Sequence, residues 1–234
     1  VDLFGQPADY EQIGQIAQKY NLLVLEDAAQ GFGGNINGKM ACSFGDAATT
    51  SFFPAKPLGC YGDGGAVFTD SDELANLLKS IRIHGKGTEK YDNVRIGLNS
   101  RLDTIQAAIL LPKLKAFKEY ELQKRNEIAC RYTESLKGKY TTPFVPNNIK
   151  SSWAQYTLLL NNEEERNSLQ SKLKEHNIPS MIYYPKPLHL QTCYKDLEYK
   201  CRLINSENAS KCVLSLPMSP WMDECDIIKI LKFL

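Results

Sequence analysis

The sequence predicts an α/β domain with a mostly parallel sheet, followed by a smaller α+β domain. Apolar residues recur at helical spacing over residues 9–20, and the continuous apolar run at residues 22–25 is typical of a buried parallel strand. Beyond about residue 150 the predicted order becomes strand, helix, strand, strand, helix. We therefore expect two domains, residues 1–118 and residues 119–234.

Local start signals define the elements of the first domain. Pro7 and Asp9 are suited to begin the first helix, and the strand that follows it ends in Glu26 and Asp27. The glycines at positions 31, 33, 34 and 38 then predict a loop. The remaining elements are strands over residues 47–53 and 65–69, a helix from the Ser71 cap through Lys79, and a long helical stretch over residues 102–136 that contains Pro112.

The second domain carries the same kinds of signal. Its predicted elements are a strand over residues 154–160, a helix over 163–176, strands over 180–184 and 213–216, and a helix from Asp223. In the first domain, Asp27 and residues 51–56 lie at or just beyond the carboxyl ends of predicted strands. Because α/β sheets bind ligands at those ends, we expect the functional site there.

Composition excludes several classes of function. Hydrophobic residues make up 43% of the chain and charged residues 24%, as in an ordinary globular protein. The formal net charge of +1 favours neither nucleic acid nor an acidic membrane surface as a partner. No apolar run is long enough to span a bilayer, and the histidines at 84, 176 and 189 lie far from any cysteine cluster, so we expect no metal site.

The cysteines and the first residues of the chain bear on the cellular compartment of the protein. Seven cysteines without a CxxC pair predict free thiols in a reduced, cytoplasmic protein. The chain starts with Val1 in the pattern of a strand end, and this start has neither the basic nor the apolar region of a signal peptide. We expect a fragment of a longer protein.

Lys56 has a stiff and unusual backbone setting. Pro54 and Pro57 flank it, and the glycine-rich segment at residues 62–65 follows. A lysine that forms a Schiff base needs such fixing, together with a neutral amine that can attack an aldehyde. Taken alone, the pattern favours a surface lysine in a proline-bounded turn, and its neighbours in the sequence change that interpretation.

Three polar residues upstream have the chemistry of a pyridoxal-phosphate site. A carboxylate at a strand end, such as Asp27, can hold the proton on a pyridine nitrogen. Gln30 is suited to donate to the phenolic oxygen of the ring, and Ser51 to bind the phosphate. Each has an ordinary alternative when taken singly: a carboxylate that caps a loop, a loop amide and a strand serine.

These residues lie in motifs that resemble one known family. The segments are residues 26–30 (EDAAQ), 51–59 (SFFPAKPLG), 62–65 (GDGG), 82–85 (RIHG), 97–103 (GLNSRLD), 106–108 (QAA), 183–189 (YYPKPLH) and 214–217 (LSLP). In this order they resemble the DegT/DnrJ/EryC1/StrS group of sugar aminotransferases, which belong to the fold type I pyridoxal-phosphate superfamily. The resemblance covers nearly the whole chain.

The resemblance implies a role for each candidate residue. Lys56 would form the Schiff base with pyridoxal 5'-phosphate and move the proton between the substrate and cofactor carbons. Asp27 would pair with the pyridine nitrogen, Gln30 would contact the ring oxygen and Ser51 would bind the phosphate. Asn99 matches an asparagine that completes the phosphate site of the neighbouring subunit, which implies a homodimer with a shared active site. Alternatively, Asn99 caps the helix that follows it.

The substrate follows from the same resemblance. Arg101 comes two residues after Asn99, and its guanidinium is suited to a sugar carboxylate or a diphosphate. The surroundings of Lys56 and the segment with Tyr184 and His189 look most like members that aminate the 3-keto position of a UDP-N-acetylglucuronic acid in cell-surface polysaccharide biosynthesis. Glutamate would be the amino donor. His189 also fits a structural loop histidine.

Three other interpretations stay open. The substrate could be a 4-keto-6-deoxy sugar linked to dTDP or UDP. Dehydratases of the same family have histidine in place of the lysine, so Lys56 argues against that activity. A catalytically silent binding or regulatory relative would not need all the candidate residues intact. The resemblance further implies that the N-terminal part of the family fold is absent, including a helix N-terminus that binds the phosphate.

Overall fold

A computed structural model describes residues 1–197 and 202–234. It divides into a first unit, residues 1–122 with 145–154, and a second unit, residues 123–144 with 155–234. The segment at residues 145–154 thus belongs with the first unit, although it follows the long helical stretch in the sequence. The domain boundary near residue 118 stays a prediction.

The first unit contains the α/β part of the chain. Its helices are α1 (Tyr10–Tyr20), α2 (Asp72–Ile81) and α3 (Thr104–Ala116), with a 3-10 turn at Leu3–Gly5 and a π-helical turn at Phe117–Glu121. Its strands are β1 (Leu25–Asp27), β2 (Asn35–Ile36), β3 (Lys39–Met40), β4 (Ala47–Ser51), β5 (Gly65–Phe68) and β6 (Ile149–Lys150). The three short strands β2, β3 and β6 form a small antiparallel sheet.

The main sheet has the strand order β1-β4-β5. β1 pairs with β4 in parallel, and β5 pairs with β4 antiparallel. Because β4 is the one described partner of β1, the apolar run before it is not covered: Leu23 is 87% exposed and Leu25 is 67% exposed. The prediction that residues 22–25 form a buried strand is therefore wrong, and the buried member of β1 is Glu26.

Three predicted helix starts are confirmed. Asp9 and Ser71 each accept a hydrogen bond from the backbone N–H three residues further on, at 3.0 Å and 3.2 Å. Asp223 forms a capping box with Asp226 at the start of the last helix. The long helical stretch begins at Thr104 and is interrupted by the π-helical turn, so it is two α-helices rather than one.

The core of the first unit lies beneath the segment that carries Lys56. Its buried members are Phe52, Leu58, Cys60, Leu110 and Phe117. They come from the loop that follows β4, from α3 and from the π-helical turn, so burial of their apolar surface fixes the loop against the helix.

The described part of the second unit combines four α-helices with a two-stranded sheet. Its elements are α4 (Leu122–Leu136), α5 (Glu163–Glu175), α6 (Ile204–Cys212), α7 (Glu224–Phe233), β7 (Tyr156–Leu159) and β8 (Val213–Leu216), with 3-10 turns at Leu188–Leu190 and Thr192–Tyr194. β7 and β8 are antiparallel. The largest side chains of the core are Tyr132, Tyr156, Leu158, Leu173 and Leu214, all fully buried.

Two elements of the second unit differ from the prediction. Residues 180–184 form no strand; Met181 alone bridges to Ser215, with hydrogen bonds of 3.1 Å and 2.7 Å. Pro179 and Pro185 flank this segment, and a proline cannot donate to a strand ladder, which limits the pairing to one residue. The sequence prediction also missed α6, whose apolar residues show little periodicity.

All six described cysteines are free thiols, and Cys201 lies outside the described residues. Among the described helices, none has both the length and the apolar character needed to cross a membrane. The described part of the chain also contains no group of three or more His, Cys, Asp or Glu side chains placed to hold a metal ion.

Candidate active site

Two candidate residues lie at the carboxyl ends of neighbouring strands. Asp27 is the last residue of β1 and pairs with Thr49 of β4. Ser51 is the last residue of β4, two residues beyond Thr49. Because the two strands are parallel, Asp27 and Ser51 are at the same edge of the sheet, which is where open α/β sheets bind ligands.

The backbone of Asp27 is fixed on both sides. Its carbonyl oxygen accepts a hydrogen bond of 2.9 Å from the Asp2 amide, and the next amide, that of Ala28, donates 2.9 Å to Thr49. One carboxylate oxygen of Asp27 accepts a 3.0 Å hydrogen bond from the Ala29 amide. No described residue donates to the other oxygen, so it can accept a hydrogen bond from a ligand.

Gln30 is buried and oriented by two contacts. Its side-chain oxygen Oε1 accepts a 2.6 Å hydrogen bond from the Phe4 amide. Its backbone carbonyl accepts a 2.7 Å hydrogen bond from Oγ of Ser152, which is fully buried. Since the Phe4 amide uses the side-chain oxygen, the NH2 group is the donor end of this side chain.

The segment that carries Lys56 is a loop whose two ends are joined by hydrogen bonds. The carbonyl oxygen of Phe52 accepts hydrogen bonds from both the backbone amide and the thiol of Cys60, at 2.8 Å and 3.0 Å. Within the loop, the Lys56 amide donates 2.9 Å to the Phe53 carbonyl. At Gly59 the chain passes so close to itself that an added Cβ would lie 2.7 Å from the Phe53 oxygen. The backbone of Lys56 is therefore held firmly.

The side chains of Ser51 and Lys56 keep free capacity for a ligand. Oγ of Ser51 accepts a 3.2 Å hydrogen bond from the Phe53 amide, and its hydroxyl proton has no described acceptor. Lys56 is half-buried, and no described residue forms an ion pair or hydrogen bond with its amine. The hydroxyl of Ser51 is thus available as a donor at the end of β4, and the Lys56 amine is unpaired among the described residues.

Asn99 and Arg101 contact each other. Nη2 of Arg101 donates a 2.9 Å hydrogen bond to Oδ1 of Asn99, and both side chains are exposed. The alternative role of Asn99 as a helix cap is wrong, because α3 begins at Thr104 with Asp103 in the cap position. The Asn99 backbone instead forms an antiparallel bridge with Ile83.

The two candidates of the second unit have different surroundings. The His189 side chain is 8% exposed, and its Nε2 lies 3.4 Å from a carboxylate oxygen of Glu207. Hydrogen bonds from Arg202 and, more weakly, from His189 lower the pKa of Glu207. Tyr184 is 52% exposed, and its ring lies edge-on to that of Tyr183 with centroids 5.5 Å apart.

The residues that hold the Asp27–Gln30 segment were not predicted from the sequence. Asp2 and Glu26 are fully buried acids next to it, and Ser152 contacts it from far along the chain. For Glu26 a signal existed: side chains alternate along a strand, so Glu26 points to the face opposite to that of Asp27 and of the exposed Leu25. For Ser152, separated by 122 residues from Gln30, the sequence has no comparable signal.

A cavity of about 910 Å³ lies elsewhere in the first unit. Its walls come from the end of β4, from β5 and from α2, including Thr49, Val67, Leu78 and Arg82. None of the predicted cofactor residues lines it. The candidate site is therefore defined by the sheet edge and the Lys56 loop rather than by this cavity.

Comparison with known proteins identifies the family of the chain. The family model described as "DegT/DnrJ/EryC1/StrS aminotransferase family" matches residues 1–234. The chain is 47% identical to the UDP-2-acetamido-2-deoxy-3-oxo-D-glucuronate aminotransferase of Pseudomonas aeruginosa over 97% of this chain and 62% of that protein. It is 44% identical to a pleiotropic regulatory protein of Geobacillus stearothermophilus over 96% of this chain and 60% of that protein.

Solved structures of the family superimpose closely on the chain. The crystal structure of a DegT DnrJ EryC1 StrS aminotransferase from Brucella abortus has a TM-score of 0.94 and 49% identity, covering 99% of this chain and 61% of that one. NtdA of Bacillus subtilis with bound cofactor PMP has a TM-score of 0.86 and 31% identity, covering 99% and 54%. The fold is confirmed as the α/β fold of type I pyridoxal-phosphate transferases, and the chain spans about three fifths of the length of the relatives that it matches. The chain belongs to the DegT/DnrJ/EryC1/StrS aminotransferase family.

Proposed function

We propose that this protein is an aminotransferase that moves the amino group of glutamate to a nucleotide-linked keto sugar, with pyridoxal phosphate as cofactor. One observation carries the proposal: in a chain of this family, Asp27 and Ser51 end neighbouring parallel strands and Lys56 lies in the loop after Ser51, each with hydrogen-bonding capacity that no described residue uses. The aminotransferase relatives support the reaction class.

The residues present fit the cofactor. The open carboxylate oxygen of Asp27 is suited to the protonated pyridine nitrogen, and the NH2 group of Gln30 to the phenolic oxygen. The Ser51 hydroxyl is suited to donate to the phosphate. Bound pyridoxal phosphate supplies an electron sink for the substrate carbon. The Lys56 amine would hold and move the proton that this carbon loses or gains.

For the substrate we propose the 3-keto position of a UDP-N-acetylglucuronic acid. The relative from Pseudomonas aeruginosa is named for a sugar of this kind, which supports the choice. Arg101 would bind the sugar carboxylate or the diphosphate, because a guanidinium offers two parallel donors to such groups. His189 and Tyr184 would complete the sugar site.

A spectroscopic experiment tests the cofactor assignment. The purified protein is incubated with pyridoxal phosphate, reduced with borohydride and digested, and the labelled peptide is identified by mass spectrometry. We expect a visible absorbance band before reduction and label on Lys56 alone. Lys56→Ala should abolish both, whereas Lys229→Ala, at an exposed position of α7, should leave both unchanged. A colourless protein, or label on another lysine, refutes the assignment.

Turnover of matched sugars tests the substrate. The 3-keto and 4-keto forms of UDP- and dTDP-sugars are each offered with glutamate, and 2-oxoglutarate is measured. Loss of a charge-assisted hydrogen bond costs about 1.5–3 kcal/mol, so Arg101→Ala should lower kcat/KM for the uronate about tenfold to a hundredfold and change that for a neutral sugar far less. Arg101→Lys keeps the charge as a control. Turnover of a neutral 4-keto sugar alone contradicts the proposal.

We also propose a homodimer in which Asn99 completes the site of the neighbouring subunit. The exposure of Asn99 and of its partner Arg101 supports this role. Lys56→Ala and Asn99→Ala should each be inactive alone. If the site is shared, random mixing of the two variants restores one intact site in each mixed dimer, so about a quarter of the activity should return. No recovery on mixing contradicts a shared site.

A second candidate function is a regulatory relative without catalysis, which the similarity to the pleiotropic regulatory protein favours. The two candidates differ in one measurement. A regulatory protein binds its sugar nucleotide without producing 2-oxoglutarate from glutamate. An aminotransferase produces it in proportion to the amino sugar.

A further inference from the structure

Two carboxyl groups lie buried side by side behind the Asp27–Gln30 segment. Asp2 and Glu26 are both 0% exposed. The Glu26 oxygens accept hydrogen bonds of 2.6 Å and 2.9 Å from the amides of Cys42 and Phe44. A side-chain hydrogen bond with Asp2 and the charge of Asp2 are among the causes that raise the pKa of Glu26, so the two buried acids interact directly.

The hydrogen-bond pattern of Asp2 leaves one oxygen without a donor. Oδ1 accepts 2.6 Å from the Tyr10 hydroxyl and 3.2 Å from the Ala8 amide. Oδ2 is buried and has no donor among the described residues. Two ionised carboxylates in contact repel each other and cannot form a hydrogen bond, whereas one proton between them satisfies both the orphaned oxygen and the charge.

The surroundings favour retention of that proton. Burial, together with the neighbouring Asp2 carboxyl, raises the pKa of Glu26 against the opposing effect of its two backbone donors. Desolvation and the same two acids raise the pKa of Cys42 to about 12 and that of Tyr10 as well, and Asp27 adds to the effect on Tyr10. Asp2, Tyr10, Asp27 and Cys42 are the titratable groups that these interactions place around the acid pair. The amine of the exposed Lys39 lies over the Phe44 ring.

We propose that Asp2 and Glu26 share one proton in the folded chain, and that this acid pair positions Asp27 and Gln30 from behind. The positioning part rests on the cofactor roles proposed above for Asp27 and Gln30. The pair acts through the backbone: the Asp2 amide donates to the Asp27 carbonyl, and Glu26 directly precedes Asp27 in β1. Loss of the proton places two negative charges behind the loop that carries both cofactor contacts.

The proton should be visible in two measurements without any cofactor. Infrared spectra of the chain should show the carbonyl band of a protonated carboxylic acid at pH 6–7, where exposed carboxyls are ionised. Urea unfolding should show stability falling as pH rises, because the unfolded chain loses both protons near the ordinary carboxyl pKa while the folded chain keeps one up to the raised pKa of Glu26. The unfolding constant should grow about tenfold per pH unit in that interval.

Asp2→Asn is the matched variant. Its amide oxygen can still accept from Tyr10 and Ala8, and its NH2 group replaces the shared proton by a permanent donor to Glu26. We expect the infrared band and the pH slope to disappear, with the fold retained. Glu26→Gln should be much less stable than Asp2→Asn, because its NH2 group would face a backbone N–H. Asp92→Asn, at an exposed position, should behave like the parent.

Binding of pyridoxal phosphate tests the positioning role. The affinity of the parent should weaken over the pH interval in which the band fades, and Asp2→Asn should lack this component while Asp92→Asn keeps it. A parent without the band at pH 6, or an unchanged slope in Asp2→Asn, overturns the shared proton. Equal pH profiles of binding overturn the positioning role. Absence of any cofactor binding refutes the proposed function instead, and the infrared and unfolding results still decide on the proton.

Discussion

Gly31→Ala is the perturbation that most directly probes the support of the candidate site. Gly31 follows Gln30, and its Cα packs against the buried carboxyl of Asp2. A Cβ at this position would lie 2.5 Å from the Asp2 Cβ and 2.8 Å from its Cγ. Real Cβ atoms do not come this close to another atom, so Asp2 would have to move.

The expected loss of stability in Gly31→Ala follows from the contacts that Asp2 makes. Forcing a methyl group into a packed interior costs about 1–3 kcal/mol. A displaced Asp2 also loses its 2.6 Å hydrogen bond to Tyr10, and a hydrogen bond to a charged group contributes about 1.5–3 kcal/mol. We expect a loss of about 3–5 kcal/mol, against a total stability of about 5–15 kcal/mol for a folded protein. At about 2–4 °C per kcal/mol, Tm should fall by about 6–20 °C.

Gly14→Ala is the matched control. Gly14 lies in α1, and nothing is found within 4 Å of an added Cβ. Alanine is favoured over glycine in a helix by about 1 kcal/mol, so this variant should be more stable than the parent. Urea unfolding followed by circular dichroism measures both variants at pH 7. A Gly31→Ala variant within about 1 kcal/mol of the parent refutes the packing argument, since overpacking alone should exceed that.

Three further substitutions test other contacts of the structure. Ser152→Ala removes the donor to the Gln30 carbonyl and should lower the unfolding free energy by about 1–3 kcal/mol, which urea unfolding measures. Gly85→Ala combines a φ of 75° with a clash against the Arg95 backbone carbonyl, so soluble yield and Tm should both drop sharply. Tyr132→Phe removes the 3.0 Å hydrogen bond to the Pro217 carbonyl and should cost about 1 kcal/mol, with little effect on cofactor binding.

Local signals made much of the secondary structure predictable. Asp9, Ser71 and Asp223 combine a capping side chain with a helical pattern behind it, and all three helices begin where this predicts. Strand limits were less predictable, because they depend on partners. The apolar run at residues 22–25 has the composition of a buried strand, yet exposure of Leu25 follows from having β4 as its one described partner.

In the candidate site, too, some residues have local signals in the sequence and others depend on tertiary contacts. Local signals predict Asp27 and Ser51 at strand ends and Lys56 in a proline-bounded turn, and the resemblance of the surrounding motifs to a known family makes them candidates for the site. The residues that hold them could not be predicted, because their contacts connect distant parts of the chain: Phe4 to Gln30, and Ser152 to the same loop. Hydrogen bonds between such positions follow from the tertiary fold and from no pattern of neighbours.

The buried acids behind the loop predict that the Asp27–Gln30 segment is sensitive to changes at Asp2. Asp27 can offer a carboxylate oxygen to a ligand only if its backbone stays fixed, and the Asp2 amide supplies one of the two hydrogen bonds that fix it. The same Asp2 carries a carboxyl group that needs a proton or a donor to remain buried next to Glu26. Packing at Gly31 and protonation of the acid pair therefore act on one residue. For this reason Gly31→Ala and Asp2→Asn should both alter the Asp27–Gln30 segment, the first by displacing Asp2 and the second by making its hydrogen bond permanent.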